Sequence, residues 1–336
     1  MVNTAALEEY LKPLEPFLND PEISEILVNQ PEIIFFEKDG CFNTIKSPEL
    51  SFRHLMGLAT LMARFTDQRL SEKEPLLSGQ LPSGHRIQIV LPLATRQHTL
   101  VLSIRKQTIA DKSLYDFAQH GVFKHTRAFY LENSFPINKG EPALLELFNK
   151  NEFVEFLKLA IQEKKNILIS GATSTGKTTF LNACLKEIPQ HEHLITLEDV
   201  PELKLIHPLH TSLFSSKGLQ SVSQITMQDL VQASLRLRPD RIIMGELRGA
   251  EAADFIHATA TGHEGSLSSI HATNPSIAFM RLVHMVKLSG TTLSRQDILD
   301  DLHSIIDIVI QLKRRREKNH YVREVSDIYY REAKAS

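Results

Sequence analysis

Eight residues near the middle of the chain combine two glycines, a lysine and hydroxyl side chains at a spacing suited to polyphosphate: Gly171-Ala172-Thr173-Ser174-Thr175-Gly176-Lys177-Thr178, followed by Thr179. In such a loop backbone amides turn inward on an anion, Lys177 neutralises β- and γ-phosphates, and the Thr178 hydroxyl is a ligand for Mg²⁺. A glycine-containing turn with a surface lysine would match the same residues, so context decides. Asn166–Ser170 reads as a short apolar strand, and Thr179–Ile188 as a helix ended by Pro189. Strand, loop and helix come in the order the chemistry requires, because a helix N-terminus adds donors and a favourable dipole beside the phosphates.

Three further apolar runs end in groups that a phosphoryl-transfer site can use. Leu194–Leu197 leads to Glu198-Asp199, Arg241–Gly245 to Glu246 with Arg248 behind it, and Ser266–Ile270 to His271. Catalysis of this kind is mostly positioning and charge neutralisation. Glu246 is the natural residue to orient an attacking water. Glu198 and Asp199 suit the water shell of Mg²⁺, which accepts few direct carboxylates. His271 is placed to bond the γ-phosphate or a neighbouring loop and so to sense hydrolysis. Each alone could be an ordinary surface group. Four in succession at strand ends point to one site, since ligands of open parallel sheets sit beyond the carboxyl ends of the strands.

The elements that must carry these groups alternate in the second half of the chain. Helical stretches at Thr178–Ile188, Met227–Leu237, Ala250–Thr259 and Ile277–Lys287 intervene between the strand runs. That pattern predicts a parallel sheet covered by helices. Residues 1–132 read instead as a smaller mixed α/β domain. It has strands at Glu25–Val28 and Ile33–Glu37, a turn at Asp39-Gly40, a helix at Phe52–Phe65, and extended runs at Arg86–Leu91 and Leu100–Arg105. Residues 133–150 are read as a linker, and 151–336 as the nucleotide-binding domain. A hairpin of Ile306–Leu312 and Tyr321–Tyr330 closes the chain around Lys313-Arg314-Arg315-Arg316-Glu317-Lys318, a charge run expected to be a solvated turn.

The chain of 336 residues is 42% hydrophobic and 23% charged, an ordinary globular balance, with a net charge of -2. That balance argues against a dedicated nucleic-acid-binding domain. The two cysteines, Cys41 and Cys184, have no zinc-like spacing and suit reduced thiols in a cytosol. The N-terminus lacks the pattern of a signal peptide, and no apolar run approaches the ~20 residues of a membrane span. A cytoplasmic protein that docks peripherally at a membrane assembly is expected.

The sequence resembles the traffic ATPases of type IV secretion systems, within the wider secretion and pilus ATPase superfamily, over nearly its whole length. The resemblance rests on Gly171–Thr178, on the acidic stretch Ile195–Leu203 (ITLEDVPEL), on Leu235–Arg248 (LRLRPDRIIMGELR), and on Thr261–Ala272 (TGHEGSLSSIHA). It implies an α/β fold with a RecA-like parallel-sheet motor domain and a smaller N-terminal α/β domain. It also implies ATP and Mg²⁺ as cofactors, a homo-hexameric ring, and inner-membrane secretion-channel components as partners. The export substrate would be a protein or nucleoprotein. Arg86 and Arg105 match arginines that the N-terminal domain lends to the phosphates, and Arg238 matches one that reaches nucleotide or a neighbouring subunit. Ser174 stands where the family commonly has glycine. Two cysteines cannot supply the four-cysteine zinc element of many type II and pilus relatives, which favours the type IV branch. A type II secretion or pilus-retraction motor is the alternative within enzymes, and a nucleotide-gated docking scaffold the alternative outside them. Glu246 favours turnover over a scaffold. A small-molecule kinase would need an acceptor pocket and a lid, and neither signature is present.

Overall fold

Apolar residues alternate with polar ones from Arg86 to Val90 and from Val101 to Arg105, a period that turns one face of a sheet into a core. The computed structural model of the chain describes residues 4–38, 40–106, 111–131, 141–215, 225–317 and 320–333. It divides into two compact units, Met1–Thr108 and Ile109–Lys217 with Ile225–Ser336. The first unit holds an antiparallel sheet of β1 (Ile23–Val28), β2 (Ile33–Lys38), β3 (Cys41–Lys46), β4 (Leu76–Gln80), β5 (Arg86–Val90) and β6 (Val101–Arg105). Their order across the sheet is β3-β2-β1-β6-β5-β4. Helix Phe52–Phe65 has the bounds its spacing predicts. Ser51 caps it by accepting from the His54 amide, and Leu55, Leu58, Ala59 and Met62 enter the core with Ile26, Ile87 and Ile104. β3 escapes prediction because all six of its residues are exposed and no alternation marks it. Asp39, half of the predicted turn before β3, lies outside the described residues.

The second unit is built on an eight-stranded sheet. Its strands are β7 (Arg127–Phe129), β8 (Ile167–Gly171), β9 (Leu194–Glu198), β10 (His210–Phe214), β11 (Arg241–Leu247), β12 (Leu267–Ile270), β13 (Ile308–Glu317) and β14 (His320–Tyr330), in the order β10-β9-β11-β12-β8-β13-β14-β7. All neighbours are parallel except β13 and β14. Along β8 and β13 the residues divide between the two cores. Ile167, Ile169, Ile308 and Ile310 face one, and Leu168 and Val309 face the other. Burial on both faces is why these strands read as unbroken apolar runs. β9, β11, β12 and β8 lie side by side, so their carboxyl ends share one edge of the sheet.

Part of the stretch expected as a linker is helical. Helix Pro142–Asn149 buries Leu144 and Phe148 in the second unit, and residues 132–140 lie outside the description. Helix Leu114–Gln119 and β7 also belong to the second unit, because β7 pairs with β14. Cys41 is exposed, and Cys184 is buried among apolar side chains that push its thiol pKa up. Among the described residues no helix is long and apolar enough to cross a membrane.

Arg241, fully buried at the start of β11, ties this sheet together. Its guanidinium meets both Glu192 oxygens, at 2.6 and 2.8 Å, and donates to the carbonyls of Ile161 and Gly265 at 2.7 and 3.3 Å. Arg241→Ala leaves the buried Glu192 carboxylate, among the described residues, with only Lys164, 3.9 Å away, and is expected to destabilise the second unit by about 3–5 kcal/mol. Chemical denaturation measures this, and a loss below about 1 kcal/mol, the range of an exposed pair, would contradict the role.

Candidate active site

β8 runs directly into the glycine loop at residues 171–176, which its sequence marks as a phosphate loop, and the helix Lys177–Leu185 leaves it. Gly171 is required by close approach: a side chain there would begin 2.5 Å from Thr175 Oγ1 and 3.0 Å from the Leu312 carbonyl oxygen. Gly176 caps the helix at a φ of 92°, a conformation that favours glycine. Thr175 Oγ1 donates to the Ala172 carbonyl at 2.8 Å and fixes the inner turn. Ala172 and Thr173 lie at the exposed rim, while Thr178 and Thr179 occupy the first helical turn. Lys177 is buried and donates to the carbonyls of Gly171 (3.0 Å) and Ala172 (3.4 Å). The ammonium thus rests on its own loop, near where a phosphate would sit.

The acidic stretch after β9 is pinned to that helix. Glu198 is buried, and its Oε2 accepts from the amides of Glu202 (2.7 Å) and Leu203 (2.8 Å). Burial raises its carboxyl pKa, and the two amides oppose the rise. Asn182 donates to the Glu202 carbonyl at 3.0 Å and accepts from the Lys204 amide at 2.7 Å. The result aims Glu202, not Glu198, at the phosphate loop: Thr178 Oγ1 donates to Glu202 Oε2 at 3.2 Å. A hydroxyl beside a carboxylate is a hard-oxygen donor pair of the kind Mg²⁺ takes. Sequence reasoning missed Glu202 because it lies past the strand end; its only signal was membership of the acidic stretch. Asp199 accepts from Ser215 Oγ and from Arg248 Nη1, both at 2.8 Å.

β11 and β12 bring the remaining groups. The register of β11 slips against β12 between Met244 and Leu247, a bulge that includes Glu246. Bulges beside functional sites re-aim side chains. The Ser269 hydroxyl donates to the Gly245 carbonyl at 2.6 Å within that irregular stretch. Arg248 Nε donates to Glu246 Oε2 at 2.9 Å, and His271 Nε2 lies 2.7 Å from Glu246 Oε1. His271 Nδ1 is 3.2 Å from Lys177 Nζ. Because an ammonium can only donate, Nδ1 is the acceptor and the neutral ring carries its proton on Nε2; that nitrogen is close to Glu246 Oε1 but is not aligned to it, and Oε1 is buried without a hydrogen-bond partner among the described residues. Lys177, His271, Glu246, Arg248 and Asp199 therefore lie next to one another across four strand ends, with hydrogen bonds joining Lys177 to His271 and Arg248 to both Glu246 and Asp199.

Burial, then the Lys177 charge, lowers the His271 pKa from its ordinary 6.5, against the pull of Glu246. The stability this ring contributes is present above pH 6.5 and is lost as pH falls through the lower folded value. An NMR titration is expected to place His271 below its ordinary value. Lys177→Met should raise it only part of the way, since burial is the larger cause. A ring that titrates at or above the ordinary value would contradict this geometry.

None of the three predicted arginines follows the strand ends that carry these groups. Arg238 is exposed at a φ of 54° in the turn before β11, and its carbonyl accepts from His193 Nδ1 at 3.1 Å. This is the amino-terminal edge of the sheet, separated from the phosphate loop by the length of β11, roughly 20 Å. Within one chain it does not join the site. Arg86 and Arg105 belong to the first unit, where they are directly opposed on β5 and β6.

A helix-covered parallel sheet with a glycine loop after one strand and carboxylates at the ends of two others has the RecA-like architecture of secretion motors. Residues 143–333 match the family Type II/IV secretion system protein, and the chain belongs to that family. It is 40% identical over 313 residues to the type IV secretion system protein VirB11 of Brucella suis, covering 92% of this chain and 86% of the relative. The crystal structure of the Brucella suis VirB11 ATPase in complex with sulphate aligns with a TM-score of 0.53 at 38% identity, covering 97% of this chain and 95% of that one. The pilus retraction motor PilT with bound ADP, at 17% identity and a TM-score of 0.58 over 96% of this chain and 82% of that one, shares the fold alone. These relatives support a secretion motor ATPase of the type IV branch, and do not favour the type II and pilus-retraction alternatives.

Proposed function

We propose that the chain is an Mg²⁺-dependent ATP hydrolase, working as a ring of six copies on the cytoplasmic face of the inner membrane and powering substrate export or pilus assembly through a type IV secretion channel. The observation that carries this reading is the convergence of Lys177, Thr178, Glu202, Glu246 and His271 on one edge of the sheet. Mg²⁺, held by Thr178 with Glu202 and an outer shell that includes Asp199, would neutralise charge on the phosphates. Lys177 exchanges its own-loop carbonyls and His271 for phosphate oxygens. His271, released from Lys177, turns toward the γ-phosphate end of the site. Glu246 orients water through Oε1, which has no hydrogen-bond partner among the described residues, while Oε2 stays with Arg248. Glu198 acts through the loop it staples. Arg86 and Arg105 add charge from the N-terminal domain, and Arg238 serves a neighbouring subunit. Channel proteins of the membrane and a protein or nucleoprotein cargo are the partners this role needs.

Mass measurement in solution with and without nucleotide tests the assembly. The expected species is six-fold the chain mass of 38.1 kDa, favoured by Mg²⁺-ATP. A strict monomer at every concentration and nucleotide state would contradict the motor reading.

A further inference from the structure

The C-terminal hairpin lies against the phosphate loop, a place its charge run did not suggest. β13 pairs with β8 from Ile308 opposite Ile167 to Leu312 opposite Gly171, where β8 ends and the loop begins. β13 and β14 continue beyond that point as a two-stranded arm to Glu317 and His320. On this arm Arg323 lays its side chain along the loop. Its Cδ is 3.4 Å from where a side chain on Gly176 would begin, and its Nε donates to the Ser174 carbonyl at 3.3 Å. Ser174 holds a φ of 62°, left-handed backbone that an L-residue disfavours. The loop's own contacts, from Thr175 and Lys177, end on the carbonyls of Gly171 and Ala172, whereas the Ser174 carbonyl is reached by Arg323. The neighbouring arm cations are engaged with other groups. Arg314, opposite Arg323, stacks 3.7 Å over the Tyr321 ring, and Arg315 pairs with Glu317 at 2.8 Å and Glu324 at 3.4 Å.

We propose that Arg323 is a positioning residue of the nucleotide site: its guanidinium clasps the Ser174 carbonyl and holds the loop in the left-handed turn that directs its amides inward. The residue sets nucleotide affinity without touching nucleotide. This rests on the reading of the loop as an Mg²⁺-ATP site. A loop released from the clasp spends part of its time in conformations that cannot bind, and apparent affinity falls by that fraction.

The test measures KM, kcat and, by direct titration, Mg²⁺-ATP affinity for four variants beside wild type, with a thermal midpoint for each: Arg323→Ala, Ser174→Gly, the two combined, and Arg314→Ala. Arg323→Ala is expected to raise both KM and Kd on the order of tenfold, the loss of one charge-assisted hydrogen bond. Its kcat should stay within about twofold, because the groups that act on the transition state are untouched. In a Ser174→Gly background the turn needs no support, so the further effect of Arg323→Ala is expected to shrink below about twofold. Arg314→Ala removes a like charge from the same arm and should change affinity less than about twofold, which separates the contact from the arm's general field. Unchanged affinity in Arg323→Ala, an equal loss with and without the Ser174→Gly change, or an equal loss in Arg314→Ala would each overturn the clasp. Absence of turnover in the wild type would count against the ATPase reading instead, and titration would still decide the clasp.

Discussion

Glu246→Gln is expected to bind Mg²⁺-ATP within about threefold of wild type while turning it over some 10²–10⁴ times more slowly, the range ascribed to a positioned general base. Glutamine keeps the size of the side chain and one acceptor oxygen, so the bulge in β11 and the contact to Arg248 can persist. It loses the charge and the second acceptor that polarise water. Glu202→Gln makes the contrast. Its oxygen faces Thr178, the hydroxyl proposed to ligate Mg²⁺, rather than His271. Weaker Mg²⁺-ATP binding is therefore expected there, before any effect on the chemical step. Nucleotide titration and phosphate release on the same preparations separate the two roles. Normal hydrolysis by Glu246→Gln would remove the water-orienting role. A variant that binds ATP, holds it, and still supports secretion would make hydrolysis incidental and favour the nucleotide-gated scaffold.

The sequence carried the fold of the second unit because strands buried on both faces must be apolar throughout, and the loops after them must be polar. β8, β9, β11 and β12 stand out for that reason, as do the groups that follow each of them. Position at a strand end does not say what a side chain bonds. Glu198 and Glu202 share one acidic stretch, and only the loop conformation decides that Glu198 receives backbone amides while Glu202 receives the Thr178 hydroxyl. Arg238 shows the same limit from the other side: it precedes β11, so the direction of the strand carries it away from the edge that holds the loop. Arg323 had no local signal at all. It lies 149 residues from Ser174 and meets it only because β13 joins the sheet beside β8. β3 and β7 were invisible because one is wholly exposed and the other only three residues long.

Lys177→Ala is expected to reduce hydrolysis at least 10²–10³-fold, the scale of removing a single preorganised charge or donor from a transition state. The loss should be larger where the ammonium is the main counter-charge to the γ-phosphate. The fold should survive the change. Lys177 bonds the carbonyls of Gly171 and Ala172 and the His271 ring, none of which is an anion left uncompensated. Its loss also frees His271 Nδ1. Steady-state phosphate release at saturating Mg²⁺-ATP, with Lys177→Ala and wild type side by side and their thermal midpoints matched, is the most direct test of this site. The account predicts sustained turnover by the wild type and essentially none by the variant. Turnover by Lys177→Ala close to that of wild type would contradict it.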